Sequence, residues 1–292
     1  MRSEKIVLVT GATGNVGRNV VGQLRREGAR VRALVRNPQS AGLPREVEVL
    51  RGDLSLPASL DSAVKGIDTA FLLWRLPTAD TASEVVKRLA DHARCVVFLS
   101  SSAIRDDVEQ QTGIVAKVHA DIEHFIEDSA REWTFLRPDG FATNALWWWG
   151  EQIRRSDVVR WPYGAAAIAP IHEKDIAAVA VRALRDNGHQ GKRYLLSGPE
   201  SLTLAEQVKI IGAAVGRPLR FEDISPEAAR PKMHAVMPEE IVDVLLSVLA
   251  RLTAVPAPLT TVVKEITGAK PHTFREWVVD HAADFRKLSI SR

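Results

Sequence analysis

The chain has 292 residues, 46% hydrophobic and 26% charged, and its 39 Lys and Arg against 36 Asp and Glu leave a net charge of only +3. So small an excess, without a basic run or tail, argues against nucleic-acid binding, and no apolar run approaches the ~20 residues that span a bilayer. No charged-then-apolar leader opens the chain, and the one cysteine, Cys95, sits inside the apolar run CVVFL; a buried thiol in a reducing, cytoplasmic setting is expected.

Ile6–Val9 is a short β-branched and apolar run that reads as a buried strand. It stops at Gly11 and passes through Gly14 and Gly17 into an amphipathic helix over Arg18–Glu27. The spacing is G-x-x-G-x-x-G rather than the common G-x-G-x-x-G, but the physics is shared. Glycine lets the backbone turn tightly and approach a pyrophosphate, whose charge rests on the helix N-terminus. Gly11, Thr13, Gly14, Asn15, Val16 and Gly17 are therefore the expected cofactor cradle, against the alternative of a tight turn that binds nothing.

Arg30–Val35 reads as a second strand, Val47–Leu50 as a third, Leu56–Val64 as a helix and Thr69–Trp74 as a fourth strand. A helix over Thr81–His92 follows, then a fifth strand at Cys95–Leu99, a helix near Ile114–Ser129 and a strand at Trp133–Arg137. Strands alternate with helices and are continuously apolar, which predicts a doubly wound, Rossmann-like α/β sheet that is parallel and covered on both faces. Beyond Pro138 the pattern loosens. Helices are expected at Asp175–Arg185, Thr203–Val215, Pro226–Arg230, Pro238–Leu252 and Phe274–Phe285, with a strand at Arg193–Leu196. The expected organisation is a nucleotide-binding domain over 1–140 and a smaller, mostly helical lobe over 141–292, interleaved with the sheet as one unit.

In an open α/β sheet, ligands lie beyond the carboxyl ends of the strands, so the residues after each strand are the candidates. Arg36 follows the second strand where a site for NAD would place a ribose-binding carboxylate. Positions 34–37 hold no acid, and a guanidinium can pair with a 2′-phosphate, so NADP(H) is expected; the alternative is a surface arginine at a strand end. Asp53, with Leu54 beside it, follows the third strand and could accept from the adenine amino group, or be an ordinary turn aspartate. Trp74 and Ser100 follow the fourth and fifth strands, nearer the nicotinamide, although a serine cluster after a strand is as often only a turn.

TGATGNVG, ALVRNP, RGDL, WTFLRPDGF and PIHEKDIAAVAVRAL together resemble the NmrA-like group of atypical short-chain dehydrogenase/reductases across almost the whole chain. That group includes NADPH-dependent quinone and triphenylmethane-dye reductases. The resemblance implies a Rossmann fold with a small C-terminal lobe over the nicotinamide. One departure from typical short-chain dehydrogenases stands out. Neither tyrosine starts a Tyr-x-x-x-Lys pair, because residue 167 is Ala after Tyr163 and residue 198 is Gly after Tyr194.

On the helix Ile114–Ser129, at about 100° per residue, Lys117 points away from the apolar arc, while His119 lies at its edge with Glu123 one turn on. That His-x-x-x-Glu spacing resembles the one that quinone- and dye-reductase members carry where the lysine would be. His119 is thus the catalytic candidate, oriented by Glu123, or a helix-flank histidine paired with it. Trp74, Phe141, Asn144, Trp148 and Tyr163 are the candidate substrate contacts, with Asn144 equally able to cap a helix. Three tryptophans in a row, Trp147–Trp149, span about 200° on a helix, so at most two face one way. His172 reads as a loop or capping residue, and no metal-ligand spacing or Ser-His-Asp arrangement stands out.

Two readings follow. The first is an NADPH-dependent oxidoreductase that passes hydride to a quinone-like or other conjugated aromatic acceptor. The second is a non-enzymatic NADP(H) redox sensor that works through a regulatory protein. A tailoring reductase or isomerase for one aromatic metabolite is a weaker third. The expected partners are a small aromatic substrate, a second copy of the chain in a homodimer and, for the sensor, that regulatory protein.

Overall fold

The apolar runs become the strands of one parallel sheet in the computed structural model, which describes residues 5–235 and 237–286. In chain order the first elements are β1 (Ile6–Val9), α1 (Asn15–Arg26), β2 (Arg30–Val35), β3 (Glu48–Arg51) and β4 (Ile67–Leu73). Next come α2 (Ala82–His92), β5 (Cys95–Leu99), α3 (Ile114–Ser129) and β6 (Glu132–Pro138). After them the chain forms α4 (Asn144–Arg155), β7 (Val158–Trp161), β8 (Ala167–Ile168), α5 (Glu173–Arg185), β9 (Lys192–Leu196) and β10 (Leu202–Thr203). It continues with α6 (Leu204–Ala214), β11 (Arg220–Asp223), α7 (Pro226–His234), α8 (Glu239–Leu252), α9 (Val262–Thr267) and α10 (Phe274–Asp280).

The chain divides into two units. One comprises Met1–Pro138, Glu173–Leu196 and Val262–Ala269; the other comprises Asp139–His172, Ser197–Thr261 and Lys270–Arg292. The first holds a seven-stranded sheet in the order β3-β2-β1-β4-β5-β6-β9, with every pair parallel. The strand order reverses between β1 and β4, whose Val9 and Phe71 stand in register. That is the switch point at which a doubly wound sheet opens a crevice beyond its carboxyl ends.

Ile6, Leu8, Leu72, Val96 and Phe98 face one side of the sheet and pack with Val86 and Leu89 of α2 and Ile122 and Ile126 of α3. On the other side α1 packs on β1 and β2, and α5 packs on α1 and on β4, β5 and β6. Each fully buried Leu or Phe in such a core contributes about 1.5–3 kcal/mol.

The second unit is mostly helical. Trp149, Ile153, Leu204, Ile211, Leu246 and Trp277 belong to its core, beside a parallel pair, β7 with β11, and an antiparallel pair, β8 with β10. These short strands were not anticipated: with two to four residues each they carry too little alternation to register. The helix expected over Leu56–Val64 is instead a single 3-10 turn, Pro57–Leu60, followed by further turns. The few residues between Arg51 and Ile67 must cross back past β2 and β1, and they set Leu60, Ala63 and Val64 into the core without a regular helix.

Candidate functional site

At the carboxyl end of β1 the Thr10 hydroxyl accepts from the Leu73 amide at 2.8 Å and so locks β1 to β4. Gly11 then takes φ +60°, where side chains are strained, and its carbonyl accepts from the Gly14 amide. Gly17 allows the closest approach in the turn: a Cβ there would lie 2.1 Å from the Gly11 carbonyl oxygen. Helix α1 starts after an extended Gly14, with no side-chain cap and no acid in its first turn. The N–H groups of Asn15, Val16 and Gly17 precede the first intrahelical bond, from Arg18 to the Gly14 carbonyl, and so sit at the positive end of the helix. Thr13 and Asn15 are exposed there, while Val16 is buried as the anchor of the turn. This arrangement can receive a pyrophosphate.

Arg18 is a residue that the sequence reading passed over. Its guanidinium donates to the carbonyls of Thr13, Ala41 and Gly42 at 3.0–3.2 Å and straps the glycine turn to the loop after β2. A basic residue directly after the glycine triplet was the only available hint.

Arg36 is exposed and directly follows β2. Beyond β3, Asp53 accepts from the amide and hydroxyl of Ser55 in a turn, each at 2.9 Å. Those two bonds, and to a smaller extent the charge of Arg36, hold its carboxyl below the usual carboxylate range. Leu54 is half-buried against the sheet core, and its carbonyl accepts from the Thr81 hydroxyl.

Three expectations change. Ser100 is 4% exposed and spends its hydroxyl proton on Glu123 inside the protein, because that buried carboxylate requires donors. Glu123 does not orient His119: its oxygens are taken by Ser100 and Arg137. The His119 Nδ1–H instead donates to the Val115 carbonyl at 2.8 Å, and the ring stacks on Phe98. Burial pushes the imidazole below its ordinary value, outweighing that bond and the nearby Glu123 charge. Trp74 is 5% exposed and packs into the sheet core, with its indole N–H on the Thr78 carbonyl, because the loop after β4 folds back over it. Lys117 is exposed and paired with Asp121.

In the second unit, Phe141 bridges to Ile171 and is half-buried. Asn144 opens α4 and is half-buried; its side-chain amide caps nothing and has no hydrogen-bond partner among the described residues. The tryptophan run splits three ways. Trp149 is fully buried, Trp147 is 64% exposed, and Trp148 stacks on Trp161. Tyr163 sits at φ +58°, strained for a bulky side chain, in a turn held by the Gly164 amide on Asp223. His172 is the loop residue directly before α5, as expected, and it is fully buried with its Nε2 on Asp280.

Cys95 is buried and its thiol is pushed up to about 11 by desolvation. Among the described residues no group of acids, histidines and cysteines could hold a metal, and no helix is long and apolar enough to cross a membrane. A cavity of about 430 Å³, lined in part by Lys5, Arg30, Asp68 and Arg94, lies at the amino ends of the strands, opposite the glycine turn.

Fold and turn together define a Rossmann-type protein with a glycine turn at the switch point of its parallel sheet. The profile of the NmrA-like family matches residues 3–277, and the chain belongs to that family. It is 38% identical over 284 residues to the (4-alkanoyl-5-oxo-2,5-dihydrofuran-3-yl)methyl phosphate reductase of Streptomyces griseus, covering 96% of this chain and 99% of that one. It is 32% identical over 294 residues to the NAD(P)H azoreductase of Xenophilus azovorans, again covering 96% and 99%. The crystal structure of the Citrobacter sp. triphenylmethane reductase complexed with NADP(H) has the same fold. It superposes with a TM-score of 0.78 at 22% identity, covering 94% of this chain and 99% of that one.

Proposed function

We propose that this chain is an NADP(H)-dependent oxidoreductase that passes hydride to a conjugated acceptor, quinone-like or otherwise aromatic, in the cytoplasm. The observation that carries the reading is an uncapped glycine turn at the switch point, beside a cation rather than a carboxylate at the end of β2. The N–H groups at the start of α1 hold the pyrophosphate, and Arg36 pairs with the 2′-phosphate. When bound, the reduced nicotinamide supplies the hydride.

The acceptor class is supported by what the chain lacks and by its relatives. No Tyr-x-x-x-Lys pair is present in the sequence, and the Tyr194 hydroxyl is bonded to His189. A simple ketone needs an acid to protonate its alkoxide, whereas a conjugated acceptor spreads the charge and takes its proton from water. An acyl-substituted oxo-dihydrofuran, an azo compound and a triphenylmethane dye, the compounds in the relatives' names, are conjugated electrophiles of this kind. His119 serves as a neutral imidazole on α3. Phe141, Asn144, Trp148 and Tyr163 are the candidates for acceptor recognition, with Asn144 offering its amide to an acceptor oxygen.

Two measurements test the reading. NADPH oxidation should proceed against at least one member of a panel of quinones, azo compounds and cationic dyes. Comparable affinity for NADPH and NADP⁺ with no turnover on that panel would favour the redox-sensor reading instead. Arg36→Ala should weaken NADPH binding about tenfold or more and leave NADH binding within about twofold; equal losses would refute the 2′-phosphate assignment.

A further inference from the structure

Glu123 on α3 is 4% exposed, and Arg137, near the end of β6, is 7% exposed. A buried carboxylate is costly unless donors surround it. Glu123 has three: the Ser100 hydroxyl, Arg137 Nε at 2.9 Å and Arg137 Nη2 at 2.5 Å. The outer edge of the same guanidinium meets both oxygens of Asp106, at 2.8 and 3.0 Å. One guanidinium thus joins a buried carboxylate to an exposed one, since the Asp106 side chain is 68% exposed. Hydrogen bonds from Arg137 hold the Asp106 carboxyl below the usual carboxylate range, so the pair stays ionised at neutral pH.

Asp106 lies on the segment 100–113 that joins β5 to α3. Much of that segment's bonding is internal: Arg105 to Asp107, and Arg105 with Gln111. It is tied to β6 by the Ser100 amide on the Leu136 carbonyl, by the Ser102 amide on the Pro138 carbonyl and, farther along the segment, by the Asp106–Arg137 fork. A pair with so exposed a carboxylate adds little to stability, but a bidentate fork fixes a direction as well as a distance. In a doubly wound fold the carboxyl ends of the strands beyond the switch point serve the second half of the dinucleotide, and this segment leaves the carboxyl end of β5 on that side of the sheet.

We infer that Asp106, through its fork with the buried Arg137–Glu123 pair, is a positioning residue that sets the segment after β5 against the acceptor. The inference rests on the oxidoreductase reading above. Its role is orientation, and it touches neither acceptor nor nucleotide.

The test is Asp106→Asn in the full chain, chosen because the carboxylate is exposed and its loss leaves the buried Glu123–Arg137 pair intact. Steady-state kinetics with NADPH and a 1,4-naphthoquinone, nucleotide affinity by fluorescence titration and thermal unfolding are measured on wild type, Asp106→Asn and Asp106→Glu. Expected for Asp106→Asn is a fall of about tenfold in kcat/KM for the quinone, with NADPH affinity held within about twofold and Tm almost unchanged. Asp106→Glu should recover most of the loss. Wild-type turnover with Asp106→Asn kinetically unchanged, or a loss that tracks Tm or NADPH affinity, overturns the inference alone. A wild-type protein that turns over none of the acceptor panel overturns the functional reading, and the inference with it.

Discussion

A Cβ on Gly17 would stand 2.1 Å from the Gly11 carbonyl oxygen, well inside any tolerable contact, and the obstacle is backbone that cannot rotate away. Gly17→Ala should therefore destabilise the fold by about 2 kcal/mol or more and weaken nucleotide binding sharply. Gly22 lies on the same helix with nothing within 4 Å of its added Cβ. Gly22→Ala should stabilise by about 0.5–1 kcal/mol, and chemical denaturation of the two variants side by side separates steric need from helix propensity. His119 carries a different signature. Burial holds its folded imidazole below the ordinary 6.5, so below that value the unfolded chain binds more protons than the folded one. Stability is then lost as pH falls through and below 6.5, and the slope from this group fades within about a unit above it. His119→Gln should lose less Tm than wild type between about pH 7.5 and pH 5.5; equal losses would mean that the ring titrates normally.

At the scale of elements, α6 and α10 start with complete capping boxes, Thr203 with Glu206 and Thr273 with Glu276. Thr203→Ala removes one reciprocal pair and should cost about 1 kcal/mol in urea unfolding, without touching nucleotide affinity. The elements most legible in the sequence were those with strong periodicity or continuous burial. Arg30–Val35, Cys95–Leu99 and Ile114–Ser129 have the limits read from the residues alone. The glycine turn was legible for the same reason, since strand, turn and helix are contiguous. What was not legible joins distant parts of the chain. Arg18 reaches Ala41 and Gly42, and Ser100, Asp106, Glu123 and Arg137 meet because β5 pairs with β6. Helical spacing placed His119 and Glu123 on one flank, yet each turns to another partner, Val115 for the one and Arg137 for the other. No one-dimensional pattern encodes that choice.

For the whole molecule, the sheet unit is assembled from three separate stretches of chain. A fragment ending at residue 140 would contain six of the seven strands but lack α5, which packs on α1 and across β4, β5 and β6, and β9, which pairs with β6. The bare apolar face and open edge should leave it without a cooperative thermal transition and with strong binding of a hydrophobic dye; a sharp two-state melt would contradict this.

The same interleaving sets a timetable during synthesis. β6 leaves the ribosome long before β9 arrives to pair with it, and α9, which packs on α5 and β9, comes later still. At roughly 5–20 residues per second, the stretch from Pro138 to Val262 takes about 6–25 s to emerge. During that interval the nascent chain carries a nearly complete nucleotide cradle on a sheet whose second face is uncovered. That is the period in which a chaperone, or the nucleotide itself, has most influence over whether the chain reaches its native state.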